Sequence, residues 1–346
     1  MTHGTPQSAP KEITPKEFTM DTIDLGDADL NSRIADGMGK VEDVLYQRLS
    51  TGEDFIADKV THLVKAGGKR FRPLVTLLCS EFGPNPQADN VVKGAAITEM
   101  VHLATLYHDD VMDEAAKRRG VDSANHRWGN TVAILAGDIL FAHASRLMSE
   151  INTETVRHFA DTFARLVTGQ MRETVGARGA DPVEHYLKVI EEKTGVLIGS
   201  AAYLGSRLSG ADEEAVRHCE AAGAAIGMVF QIVDDIIDIF STATESGKVP
   251  GTDLREGVLT LPVLYALRED SPEGEALRDL LTGPLSRDED VSRALHLISA
   301  TDSRARALDD VHRYLAVTEQ HLDQLPDIPA NRALRELSRY TVERVG

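Results

Sequence analysis

Two aspartate clusters, His108-Asp109-Asp110-Val111-Met112-Asp113 and Val233-Asp234-Asp235-Ile236-Ile237-Asp238, stand inside apolar stretches of the sequence. On a helix, residues four apart share a face, so Asp109 aligns with Asp113 and Asp234 with Asp238. Asp110 and Asp235 lie beside them. Carboxylates in an apolar setting are strongly unfavourable unless cations neutralise them. All-oxygen ligation suits Mg²⁺ or Ca²⁺, and Mg²⁺ completes its shell with water and phosphate oxygens. The clusters therefore point toward a divalent cation and a diphosphate.

Two compact basic groups supply the opposite charge. Gly67-Gly68-Lys69-Arg70-Phe71-Arg72-Pro73 and Lys117-Arg118-Arg119-Gly120 each adjoin a helix boundary marked by Gly or Pro. A guanidinium there can grip phosphate through two hydrogen bonds, and a lysine can act as a point charge. Either group alone is equally well read as a solvated charge run. Two of them alongside two carboxylate clusters make coincidence a poor explanation.

The elements that must position these residues read as helices almost throughout. Leu30, Ile34, Met38, Val41 and Leu45 begin a helical period that recurs, segment after segment, to about residue 344. No stretch shows the alternation of a half-buried strand. Breakers such as Gly83-Pro84 and Pro250-Gly251 fall between the segments. The pattern predicts an all-α fold, a single large helical bundle with its site built in the core from facing helices. Residues 1–26 are polar and proline-bearing, and read as a disordered tail. The net charge of −18, from 37 Lys and Arg against 55 Asp and Glu, disfavours nucleic acid as a partner. Cys79 and Cys219 read as buried, reduced thiols. With neither a run of 18 apolar residues nor a signal-peptide pattern, the reading is a soluble, cytoplasmic protein without a transmembrane segment.

These motifs, joined by Lys193-Thr194-Gly195, Phe230-Gln231-Ile232-Val233-Asp234-Asp235, Gly247-Lys248-Val249-Pro250-Gly251-Thr252-Asp253 and Gly257-Val258-Leu259-Thr260-Leu261-Pro262, stand in one fixed order. In that order the chain resembles the all-trans isoprenyl (polyprenyl) diphosphate synthases, and the resemblance extends over a domain of residues 27–346. It implies an isoprenoid-synthase bundle with a central cavity between two Asp-rich helices. It implies further that isopentenyl diphosphate is condensed with an allylic diphosphate, with Mg²⁺ as cofactor and three ions present when substrate is bound. Lys69, Arg72, His102 and Arg119 match the isopentenyl diphosphate site, and Asp109, Asp113 and Asp234 match the metal ligands. Arg118, Lys193, Thr194, Gln231 and Lys248 match the allylic diphosphate pocket, with Asp110, Asp235 and Asp238 in support. Taken without the motif, His102 is better read as a satisfied core histidine, and Gln170 and Gln231 as helix-pairing residues. A homodimer is implied by resemblance alone.

Product length depends on the residues that precede the first cluster on its helix. Thr105 and Ala104 lie about 6–7.5 Å before Asp109 along the axis. In the resemblance, short-chain enzymes carry an aromatic there or an insertion in the motif, and this sequence has neither. The implied product is about C35–C50, on the branch that makes quinone side chains such as that of menaquinone. Tyr107 and the deeper Phe141 are candidates for limiting growth, with core packing the plainer reading of Phe141. A short-chain geranylgeranyl or farnesyl diphosphate synthase is the alternative, and a non-catalytic subunit of a heteromeric synthase is a weaker one. Transient membrane contact for product release is a further expectation. The segment from Phe240 to Gly251 is expected to order when a diphosphate recruits Lys248.

Overall fold

The structure is a computed structural model that describes residues 24–51, 53–241 and 249–345. It is 76% helical, as the periodicity predicts. Lys248, most of the Phe240–Gly251 linker and residues 1–23 of the proposed tail lie outside the described residues.

The helices that surround the site are α1 (Ala28–Leu49), α2 (Phe71–Ser80), α3 (Asp89–Met112), α4 (Asn130–Ser149), α5 (Thr153–Val175), α6 (Val196–Leu208), α7 (Glu213–Phe240) and α8 (Pro329–Glu343). Local chemistry sets their starts. Asp27, Asn152 and Asp212 each accept a hydrogen bond from a first-turn backbone N–H of α1, α5 and α7 respectively, satisfying donors that a helix leaves orphaned. Helix α3 is buried on nearly every side, as a central helix must be when it is apolar all round. Helix α5 buries only Thr155, Phe159, Thr162, Leu166 and Gly169.

The second cluster reaches the centre because α6 and α7 approach unusually closely. A Cβ added at Gly227 would lie 2.8 Å from the Cα of Gly195, so only glycine allows this contact. Just before α6 the chain makes one π-helical turn, Glu191–Gly195. Such single wide turns displace side chains from regular helical phase, and this one presents Lys193 to Glu173 of α5 and Thr194 to Gln231 of α7.

Two features add to the sequence reading. A short antiparallel ribbon pairs Lys117–Arg118 with Val121–Asp122, where the sequence shows no alternation because each strand is only two residues long. Arg119 and Gly120 turn its corner at φ 53° and 77°, as hairpin turns that match strand twist require. Secondly, α4 is long and apolar enough by composition to cross a membrane, with a mean hydropathy of 1.3 over a window that is 39% buried. Asp138, His143 and Arg146 interrupt its apolar run, which is why a search for uninterrupted apolar residues passes over it. Here it packs along α3.

Candidate active site

The basic pocket is built on a left-handed residue. Arg70 precedes α2 at φ 45° and turns inward. It donates to Glu99 at 3.0 Å, to Glu42 and to the Val64 carbonyl oxygen. Arg119 donates to the Leu63 carbonyl oxygen at 3.0 Å and to that of Gly67. Glu99, buried at 1% exposure, thus sits between Arg70 and Arg119. Arg72 has no such partner for its Nε, which is buried without a hydrogen bond. Burial brings the Arg72 guanidinium down to about 10, with Glu99 opposing and Arg119 reinforcing the fall. Burial pushes His102 well below the ordinary histidine range, and Arg72, Arg119, Arg118 and Arg70 push it further. His102 is therefore a neutral imidazole among four guanidiniums. Fewer carboxylates than cations, and an orphaned buried donor, call for an anion. Lys69 lines the same cavity. His102 belongs to this pocket and is not a satisfied core histidine.

The first carboxylate cluster lies at the end of α3. Burial raises Asp109 to about 6, with Asp113 and Glu173 adding to the rise and Lys193 and Arg118 opposing it. Asp113 is raised as well, first by burial. Lys193 donates to Glu173 at 2.6 Å. Burial pulls the Lys193 ammonium down, but Glu173, Asp109 and Asp113 together carry it above its ordinary value. Asp110 is placed differently. It is fully buried and accepts from Arg118 Nε at 2.6 Å, so it orients that guanidinium and does not face the cavity.

In the second cluster Asp234 lines the cavity. Asp235 turns into the core, where it accepts from the Tyr186 hydroxyl and from Gln231 Nε2 at 3.0 Å. Gln231 accepts from the Thr194 hydroxyl at 3.1 Å, so the two allylic-pocket candidates are linked. Asp238 accepts from the backbone N–H groups of Thr252 and Asp253, which fastens the following segment to α7. Glu256 shows that the clusters face one another. Burial raises its carboxyl, and Asp113 and Asp238, one from each cluster, raise it further.

A cavity of about 3180 Å³, lined by Arg72, His102 and Arg119 at the basic pocket and by Asp109, Lys193 and Asp234 at the carboxylates, is about three times the upper end of ordinary ligand pockets. Around the first cluster it is lined by Thr105, His108 and Met112 of α3, Ile134 and Asp138 of α4, and Phe163 of α5. At 100° per residue, Thr105, Asp109 and Met112 share one face of α3, Ala104 points about 100° to one side of Thr105, and Tyr107 lies on the far side. Ala104 is accordingly packed in the core, and the Tyr107 hydroxyl donates to the Lys59 carbonyl oxygen. Neither lines the cavity, although the sequence reading made both candidates for setting product length. Phe141 does not line the cavity either. It stands behind Phe163, with ring centres 4.3 Å apart.

Sequence reading missed Glu99, Glu173 and Glu256. Glu99 had a legible signal, a lone carboxylate within the apolar Ala95–Val101 run, which must be paired if buried. Glu173 and Glu256 lie in polar surroundings and had none.

The donor set fits a divalent cation that shares its shell with phosphate. Among the described residues no three His, Cys, Asp or Glu side chains converge closely enough to hold a metal ion. Protons and a cation then compete for Asp109. The Mg²⁺ concentration for half-maximal activity should rise as pH falls from 7.5 through about 6, roughly tenfold per unit below that point for one competing proton. A Mg²⁺ titration at several pH values checks this.

Comparison with known proteins agrees with this geometry. The polyprenyl synthetase family matches residues 53–298. The nonaprenyl diphosphate synthase of Mycobacterium tuberculosis is 53% identical, over 94% of this chain and 97% of that protein. The dimethylallyltranstransferase of the same organism is 42% identical, over 92% and 98%. The crystal structure of geranylgeranyl pyrophosphate synthase from Corynebacterium glutamicum, complexed with calcium and isoprenyl diphosphate, superposes with a TM-score of 0.86 at 60% identity, covering 94% of this chain and 100% of that one. The chain is a prenyl-transferring enzyme and belongs to the polyprenyl synthetase family.

Proposed function

We propose that this protein elongates an allylic diphosphate with isopentenyl diphosphate, head to tail and in trans, to about C35–C50 for a quinone side chain such as that of menaquinone. One observation carries the reading: a basic pocket around neutral His102 and a separate carboxylate cluster open into the same long cavity. The geometry thus offers two different places for two diphosphates.

Arg72, Arg119, Lys69 and His102 hold the isopentenyl diphosphate. Asp109, Asp113 and Asp234 would hold Mg²⁺, up to three ions with substrate bound, which neutralises charge on the departing allylic diphosphate. Arg118, kept in place by Asp110, and Lys193 turn toward the same leaving group, joined by Lys248. Glu173 holds Lys193 until the diphosphate replaces it. Such preplaced charges act where negative charge develops. The apolar cavity walls keep water from the allylic cation, and the released diphosphate is the nearest acceptor for the proton lost as the new double bond forms.

The open Thr105 face and the cavity volume support a long product, as does likeness to a nonaprenyl synthase. A C20 product is the second reading. Likeness to a geranylgeranyl synthase favours it, and so does the Phe163 ring braced by Phe141 and Phe159. Chromatography of dephosphorylated products from isopentenyl and farnesyl diphosphates decides between them. A ladder ending at C35–C50 supports the first reading, and a dominant C20 product overturns it. Both clusters are intact, which argues against a non-catalytic subunit. A homodimer would cover the exposed Leu135 of α4 and Val156 of α5. A cytoplasmic location and brief membrane contact at product release complete the proposal.

A further inference from the structure

A polar pair, His108 and Asp138, lines the cavity beside Asp109. His108 Nε2 lies 3.2 Å from the Ile134 carbonyl oxygen and 3.4 Å from Asp138 Oδ1. Both neighbours are acceptors only, so Nε2 carries a proton and donates to them. Ile134 and Asp138 are one helical turn apart on α4, and between them is Gly137. A Cβ added at Gly137 would lie 2.4 Å from His108 Nε2. The imidazole therefore seats in a notch that exists only because this residue has no side chain. The pair is partly exposed, with side-chain exposures of 34% and 60%. An ordinary surface contact of that kind contributes little and requires no notch.

The position of His108 gives the notch its meaning. It directly precedes Asp109 and lies on the edge of α3 that turns toward α4. Rotation of α3 about its own axis moves Asp109 and Thr105 together, because both occupy its cavity face. We propose that His108 is a positioning residue, keyed into α4 at Gly137 and held by Asp138, which fixes the rotation of α3 and so aims Asp109 at the cation and Thr105 at the product path. This deepens the proposed function and rests on Asp109 being a metal ligand. Groups that orient metal ligands typically change metal affinity 10–100-fold when removed.

The test compares H108A, G137A, the double variant H108A/G137A and H108Q, with D109N as control. Mn²⁺ affinity is measured by electron paramagnetic resonance in the presence of inorganic diphosphate, and product length by chromatography. H108A and G137A should each weaken Mn²⁺ binding about tenfold and broaden the product distribution. The double variant should be no worse than H108A alone, because the new methyl group then enters an empty notch. H108Q, which keeps an N–H donor, should recover part of the affinity. Should G137A alone fail to fold, folding of H108A/G137A would show the same rescue. Wild-type Mn²⁺ affinity and product length in H108A, alongside impaired D109N, would overturn the proposal, as would additive losses in the double variant. Wild-type affinity in D109N would overturn the ligand assignment and this proposal with it.

Discussion

Asp109→Asn is expected to lower kcat roughly a thousandfold, the scale of losing a principal charge-stabilising group at a reacting centre. The same change should make the metal-free protein melt at a higher temperature at pH 7.5. The folded Asp109 carboxyl titrates near 6, against an ordinary value of 3.8. Between those values the folded chain holds a proton that the unfolded chain has released. Stability is therefore lost as pH rises through this window, and stays lost above it. Asparagine is neutral throughout, so its advantage should grow from pH 4 to 6 and then level off. Thermal melts of both proteins in a chelator, together with steady-state rates, check the two halves. A variant that is slow merely because it is damaged would melt lower.

The second large effect belongs to Arg72. Arg72→Leu should raise the KM for isopentenyl diphosphate about a hundredfold, the worth of one or two hydrogen bonds to a charged group. The allylic substrate should be affected far less, since its proposed ligands are Asp109, Asp113, Lys193 and Asp234. Arg72→Lys should recover little, because an ammonium cannot reproduce the guanidinium fork whose buried Nε now lacks a protein partner. Steady-state kinetics with each substrate varied in turn measures the difference. Equal losses for both substrates would mean that the basic pocket does not discriminate between them.

Much of this was legible in the sequence because periodicity and charge survive without coordinates. The helices around both clusters follow from apolar spacing, and the basic groups at glycine and proline boundaries lie where the chain turns. What could not be read was phase. Ala104 and Thr105 are neighbours in sequence but point about 100° apart around α3, and only the packing of α3 decides that Thr105 lines the cavity and Ala104 does not. The same is true of the aspartates. Asp110 and Asp235 look equivalent to their neighbours, yet one is held by Arg118 and the other by Tyr186 and Gln231. Glu173 was invisible because its importance comes from Lys193, 20 residues away in sequence, presented by a π turn that no residue pattern announces.

The central claim is that two diphosphates occupy two chemically different pockets. Isothermal titration calorimetry tests it directly. Isopentenyl diphosphate should bind once per chain with a chelator present, because its proposed ligands Arg72, Arg119, Lys69 and His102 need no metal ion. A non-reactive allylic analogue, farnesyl thiodiphosphate, should bind only when Mg²⁺ is added. Isopentenyl diphosphate binding that requires Mg²⁺, or that the allylic analogue displaces competitively, would contradict the account.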